Sequence, residues 1–243
     1  MDRFDRLTTL IDRFKLTVTA ATLEQATLLV LGDQEGTPKQ VLFLPTGESV
    51  AINEEDVLFA AYVDWNGPTN PLVAALPPRI EIDLGLDPDT IGLIRLMRAE
   101  MDAQRCGMGS VLNRLGEVLI VRILRHQIEA GSTRSGLLAG LSDPRLSRAI
   151  VAMHDQPGHN WRNEDLAQVA GLSLSRFAEV FLERVGETPA AYLRRWRLVL
   201  ARQDVTKGHR IDAVARRYGF SSPEGFTRAF KKRYGSTPIS QRV

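Results

Sequence analysis

The sequence predicts a multidomain α+β chain: a small N-terminal β-barrel or sandwich with a helical segment behind it, then an all-α C-terminal domain. Three observations carry this: a motif repeated near the C-terminus, a change in the sign of charge along the chain, and short strand-like runs confined to the first third.

The repeat sets the C-terminal half. Residues 171–189 (GLSLSRFAEVFLERVGETP) and 219–238 (GFSSPEGFTRAFKKRYGSTP) are imperfect copies. Gly171 maps to Gly219 at an offset of 48, and Phe177, Phe181, Gly186 and Pro189 map to Phe226, Phe230, Gly235 and Pro238 at 49. Each copy reads as helix, tight turn, second helix, stop, and a duplicated unit of this shape points to two helix-turn-helix motifs. Short apolar-periodic helices precede the glycines, with Leu166, Ala167, Val169 and Ala170 in the first and Ile211, Val214, Ala215 and Tyr218 in the second. The glycines supply the left-handed turn that ends a helix. Ser173 or Ser175, and Ser221 or Ser222, are the candidate N-caps of the helices that follow. In those helices the phenylalanines four apart define an inward stripe, leaving the opposite face free.

Charge is partitioned the same way. From residue 144 onward there are 18 Lys and Arg against 9 Asp and Glu, whereas the preceding residues hold 13 against 20. The net of +2 for the whole chain therefore joins a basic tail to an acidic body. A basic segment carrying two such motifs is drawn to nucleic-acid phosphate. The alternative is a non-specific architectural DNA-binding protein, for which the basic tail alone suffices.

Residues 161–177 (WRNEDLAQVAGLSLSRF), 186–198 (GETPAAYLRRWRL), 214–222 (VARRYGFSS) and 226–232 (FTRAFKK) together resemble the AraC/XylS family of bacterial transcription regulators. Residues 70–78 (NPLVAALPP) and 136–145 (GLLAGLSDPR) resemble the subgroup whose N-terminal sensor is cupin-like. The resemblance implies a DNA-binding half of seven helices, with a linking helix over about residues 190–205. It implies that the second helix of each motif enters a major groove, so that one chain reads two segments about 34 Å apart. Base-facing positions then fall on Ser175, Arg176, Ala178 and Glu179 in the first motif and on Pro223, Glu224, Thr227 and Arg228 in the second. Arg228 is the foremost of these, because a guanidinium bonds a guanine edge in bidentate fashion. Phosphate contacts fall on Lys231, Lys232, Arg195 and backbone amides near Trp161 and Asn163. Glu179 departs from the basic residue common in relatives, and either accepts from a cytosine amino group or repels the backbone. The family's closing Pro-x-x-Tyr-Arg stands here as Pro238-Ile-Ser-Gln-Arg242. The implied partners are double-stranded promoter DNA, a second copy of the chain, RNA polymerase and, where the sensor keeps a pocket, a small-molecule effector.

The N-terminal part opens with a short amphipathic helix carrying Phe4, Leu7, Leu10, Ile11 and Phe14 on one face. Six strand-like runs follow, at about residues 16–21, 27–31, 40–44, 49–52, 57–63 and 80–84, separated by turn signals such as Asn66-Gly-Pro. This strand set is shorter than in most relatives, so the sensor is read as abridged. Helices are expected at about 90–106 and 110–130. The second is apolar on more than one side, through Val111, Leu115, Val118, Leu119, Ile123 and Ile128, and is read as a dimer face. The polar run 131–136 is read as a flexible linker. The expected division is a sensor over 1–86, a dimerisation segment and linker over 87–136, and a DNA-binding domain over 137–243, with motifs at about 163–184 and 211–233.

Catalytic and metal chemistry find little footing. The histidines His126, His154, His159 and His209 lie beyond the strand-like region and lack ligand spacing. Cys106 is the only cysteine, which excludes an intrachain disulfide, and it is read as a buried apolar residue. We therefore expect no enzyme activity, no cofactor and no metal. An N-terminus rich in Asp and Arg is no signal peptide, and no apolar run approaches membrane-spanning length, so a cytoplasmic, nucleoid-associated protein is expected.

Overall fold

A computed structural model describes residues 5–48, 50–65, 70–85, 87–131 and 135–242. Phe4, Ser49, the Asn66-Gly67-Pro68 turn and residues 132–134 of the expected linker lie outside the described residues. The chain divides into residues 11–130 and residues 131–243, and the stretch up to Leu10 groups with the second unit.

In the first unit β1 (Thr17–Ala20), β2 (Leu28–Gly32), β3 (Pro38–Phe43), β4 (Val57–Asp64) and β5 (Ile80–Asp83) form one antiparallel sheet in the order β1-β4-β2-β3-β5. The pairings Val18 with Val63, Leu28 with Ala61 and Phe43, and Phe43 with Ile80 place these apolar side chains on one face. All six of these side chains are buried, since side chains two apart along a strand share a face. The other face carries a smaller cluster of Leu29, Leu42 and Leu44. A strand was expected at 49–52, but residues 50–52 carry no strand pairing. Five strands, not six, form among the described residues.

Two long helices, α3 (Pro88–Ala103) and α4 (Met108–Ala130), follow a short α2 (Pro71–Ala75). Asp87 caps α3 through the Thr90 N–H at 3.0 Å, and Arg122 of α4 donates to both Asp87 carboxylate oxygens at 2.7 and 3.0 Å. Burial opposes the Asp87 charge, but the bonds from Arg122 and Thr90 outweigh it, and its pKa falls to about 2. Helix α4 also covers an open sheet edge. The Val18 N–H of β1 donates to the Asn113 side chain at 2.7 Å, supplying a partner that no neighbouring strand provides. This approach requires Gly116, where a Cβ would stand 2.5 Å from that of Val18. Leu112, Leu119, Ile120, Ile123 and Leu124 are buried, whereas Leu96, Val111 and Val118 are exposed. Cys106, expected to be buried, is exposed in the turn between α3 and α4. Gln104 ends α3 in the left-handed conformation, so the chain reverses there and leaves the thiol outside the packing.

In the second unit seven α-helices form among the described residues downstream of residue 131. They are α5 (Leu137–Ser142), α6 (Leu146–Asp155), α7 (Asn163–Ala170), α8 (Leu174–Val185), α9 (Pro189–Thr206), α10 (Ile211–Arg217) and α11 (Pro223–Tyr234). The start of α1 (Thr8–Arg13) belongs to this unit, unlike the expected division. Leu7 and Leu10 are buried, Arg6 donates to the Leu141 carbonyl at 2.8 Å, and Thr9 bonds Asp155. Tyr192 and Trp196 of α9, together with His154 of α6, form the aromatic centre of this unit, with His154 stacked on Trp196 at 3.9 Å. Burial raises the Tyr192 phenol well above its ordinary range, and the protonated hydroxyl pairs with His154 Nε2 at 2.6 Å.

Candidate nucleic-acid interface

The two repeats fold into two local units of the same design. Helix α7 ends at Gly171 with φ of 69°, and the turn after α10 places Gly219 at φ of 69°. An L-residue with a side chain is strained there, which is why both copies carry glycine. Of the alternative caps, Ser173 and Ser222 are the ones used: their hydroxyls accept from Arg176 N at 3.4 Å and Gly225 N at 3.0 Å. Pro223 takes the first position of α11, where its missing N–H is not needed. Phe177 and Phe181 touch at 5.5 Å, Phe226 and Phe230 at 5.6 Å, and all four are fully buried. Each second helix therefore has one face locked into the core and one face turned outward.

The outward faces differ in electrostatics. On α8, Ser175, Arg176 and Glu179 are exposed and Ala178 is half-buried. Arg176 donates to Glu179 at 2.7 Å across one helical turn, a pairing neither alternative reading of Glu179 had included. The outward face of α8 also exposes Leu174 and Leu182. On α11, Pro223, Glu224, Arg228, Lys231 and Lys232 are exposed and Thr227 is half-buried. The Arg228 guanidinium and the Lys231 and Lys232 ammonium groups take part in no described hydrogen bond or ion pair, so their donors face solvent.

Two expected phosphate donors are already engaged. Arg195 donates to Glu187 through Nε at 2.8 Å and Nη2 at 2.6 Å, and lies over the Tyr192 ring. The exposed neighbour Arg194 has the freer position. The backbone N–H of Trp161, one of the amides expected to meet phosphate, donates to the His159 carbonyl at 2.9 Å, and its indole N–H donates to the Gln156 carbonyl at 3.0 Å. Asn163 is exposed at the first position of α7, and the Asp165 carboxylate accepts from the Arg162 N–H at 3.1 Å.

Second-motif geometry is anchored from α9. Asp204, nearly buried, accepts from Arg217 and from the Tyr218 hydroxyl at 2.9 Å, tying α9 to the C-terminal end of α10. The Asp204 carboxylate in turn raises the pKa of Arg217. Gln241, in place of the family tyrosine, bonds the Ser236 hydroxyl at 2.7 Å, and Arg242 reaches the Gly208 carbonyl.

In the first unit, the less buried face of the sheet holds a hollow of about 490 Å³. Leu23, Leu29, Leu44, Ile52 and Tyr62 line it, with Glu24, Glu48 and Glu54 around them. Among the described residues no group of three or more His, Cys, Asp or Glu side chains could hold a metal ion. No described helix is long and apolar enough to cross a membrane.

Comparison with known proteins agrees with both halves. Residues 166–242 match the family described as "Helix-turn-helix domain", and residues 17–129 match the family described as "Cupin". The chain belongs to the AraC/XylS family. Over 172 residues the AraC-type chain is 31% identical to an uncharacterized HTH-type transcriptional regulator of Haemophilus influenzae, covering 70% of this chain and 57% of that protein. Over 178 residues it is 33% identical to the HTH-type transcriptional regulator AlkR of Acinetobacter baylyi, covering 71% and 58%. It thus spans less than two thirds of the length of these two curated relatives. A transcriptional regulator structure from Chromobacterium violaceum, with an AraC-type DNA-binding domain, shares 26% identity. It covers 42% of this chain and 91% of that one, at a TM-score of 0.40.

Proposed function

We propose that this AraC-type chain is a sequence-specific DNA-binding transcription regulator that places α8 and α11 in two successive major-groove segments. One observation carries the reading: two helix-turn-helix units share glycine turn, serine cap and buried phenylalanine pair, yet present different outward side chains. A shared scaffold with divergent outward faces is what reading two different base sequences requires. Base contacts come from Ser175, Arg176, Ala178 and Glu179 in one groove and from Pro223, Glu224, Thr227 and Arg228 in the other. Lys231, Lys232 and Arg194 grip phosphate, together with amides at the start of α7. Nothing in this reading calls for catalysis.

The chain works as a homodimer through the outer face of the α3–α4 hairpin, where Leu96 is 50% and Val118 49% exposed. Val118→Glu is expected to convert dimer to monomer in sedimentation velocity runs, and an unchanged sedimentation coefficient would dismiss this face. The hollow beside Leu29 and Tyr62 is the place for a small-molecule effector.

Competition binding with the full chain tests the main reading. A regulator prefers its site over unrelated DNA by about a thousandfold or more. A preference of only a few-fold, with affinity following salt alone, would favour the architectural alternative.

A further inference from the structure

Arg197 lies on α9, the helix between the two motifs, and its guanidinium faces three carbonyls and no carboxylate. Nε donates to Pro157 O at 2.6 Å, Nη2 to His159 O at 2.7 Å and Nη1 to Gly219 O at 3.4 Å. The first two acceptors belong to the loop that leads into α7, and so to the first motif. The third is the turn glycine of the second. Burial lowers the Arg197 pKa, the mark of a guanidinium drawn out of water, yet the fixed fork of donors has acceptors in three directions.

The backbones beneath this side chain meet directly. A Cβ on Gly158 would collide with the Arg217 carbonyl, and one on Gly219 would stand 2.7 Å from the Gly158 carbonyl. Glycine at both positions permits the contact, and Arg197 closes over it. The first motif has only half of this arrangement. Arg148 of α6 donates to the Ala170 carbonyl at the first turn, at 3.1 Å. Arg148 and Arg197 stand 49 residues apart, the offset of the phenylalanine repeat. Arg148 therefore steadies one turn within one motif. Its counterpart grips the second turn and the entrance to the first motif together.

We propose that Arg197 is a positioning residue that fixes the rotation and separation of the two recognition helices, and thereby the spacing of DNA boxes the chain accepts. The proposal rests on the reading of α8 and α11 as the DNA-reading helices. Inserting one base pair between two boxes turns the second by about 35° around the duplex and moves it by about 3.4 Å. A rigid pair of heads cannot follow that displacement; a loosened pair can.

The test uses the full chain. Affinity is measured on the selected site and on versions with one base pair added or removed between the boxes. Wild type is expected to lose at least about tenfold on either change, the scale of a single mismatched pair. Arg197→Met, which keeps the stem and removes the donors, is expected to shrink that loss to about threefold or less. Equal losses in both proteins would overturn the proposal. So would a uniform drop on all spacings, which is what mere destabilisation produces.

A second measurement needs no DNA. Spin labels at Leu182→Cys and Lys232→Cys, in a Cys106→Ser background, report the distance between α8 and α11. One narrow distribution is expected in otherwise wild-type protein, and a broad one in both Arg197→Met and Arg197→Lys, since an ammonium cannot span three carbonyls. A broad distribution without any change at residue 197 would overturn the clamp whatever the DNA result. If wild type showed no preference among DNA sequences while the distances behaved as expected, the reading of DNA recognition would fall, and the specificity role of Arg197 with it.

Discussion

The two helix-turn-helix units differ far more on their outer faces than in their interiors. Inside, Phe177 and Phe181 in the first do what Phe226 and Phe230 do in the second, and both turns hold glycine at φ of 69°. Outside, α8 spends its one arginine near the turn on Glu179, whereas α11 leaves Arg228, Lys231 and Lys232 to solvent. The scaffold is common because helix packing and turn geometry leave few solutions. The outward face is free to diverge because most of its side chains are exposed and few are held by packing. On this account α11 supplies most of the base discrimination, and α8 contributes groove occupancy with weaker reading.

The largest effects should come from the shared interior. Phe181→Ala and Phe230→Ala are each expected to cost about 3–5 kcal/mol in denaturant unfolding. A large inequality between them would break the equivalence of the two cores. Next come the turns. Gly171→Ala meets only Arg148 at 3.5 Å, so it is expected to cost about 1–2 kcal/mol, the strain of a left-handed backbone. Gly219→Ala adds a clash with the Gly158 carbonyl and should lower the melting temperature further than Gly171→Ala does. Equal shifts would mean that the second turn is not held as described.

At the reading faces, Arg228→Ala is expected to weaken binding to the selected site by about 1–3 kcal/mol and to relax base preference at one position. Unchanged affinity and preference in a binding titration would remove α11 from its assigned role. The smallest effect tests the ion pair on α8. The Arg176–Glu179 pair is exposed, so Glu179→Ala should leave stability within about 0.5 kcal/mol of wild type. Freed of its partner, Arg176 should then tighten binding a few-fold and sharpen base preference in the box α8 reads. Weaker binding in the same assay would show that Glu179 itself contacts a base.

Much of this was legible in the sequence, and what escaped it has identifiable causes. Gly171, Gly219, the phenylalanine pairs and the stop at Gly186 and Gly235 are local signals, and the helices formed around them. Ser173 and Ser222 could not be separated from their neighbours by sequence, because two serines within reach of one helix start are chemically equal. The Arg176–Glu179 pair was visible at i,i+3 spacing but lost behind the expectation that both face DNA. Arg195 pairs with Glu187 eight residues back across a helix start, a separation no periodic pattern predicts. The strand expected at 49–52 had apolar residues at Val50 and Ile52, but no strand offered them a ladder. Instead they pack loosely against the Leu29, Leu42 and Leu44 cluster. The amphipathic N-terminal segment announced a buried face in Leu7 and Leu10, and periodicity is silent on which unit receives it. Arg148 and Arg197 extend the repeat one helix upstream, and a single shared arginine is too little signal to find by eye.

Selection of bound fragments from random DNA by the purified full chain addresses the contrast between the two motifs most directly. Two boxes separated by about one helical turn, 10–10.5 base pairs centre to centre, are expected, with the stronger base preference in the box that Arg228→Ala degrades. A single box, or two boxes of which the more selective is untouched by Arg228→Ala, would overturn the assignment of α11 as the main reading helix.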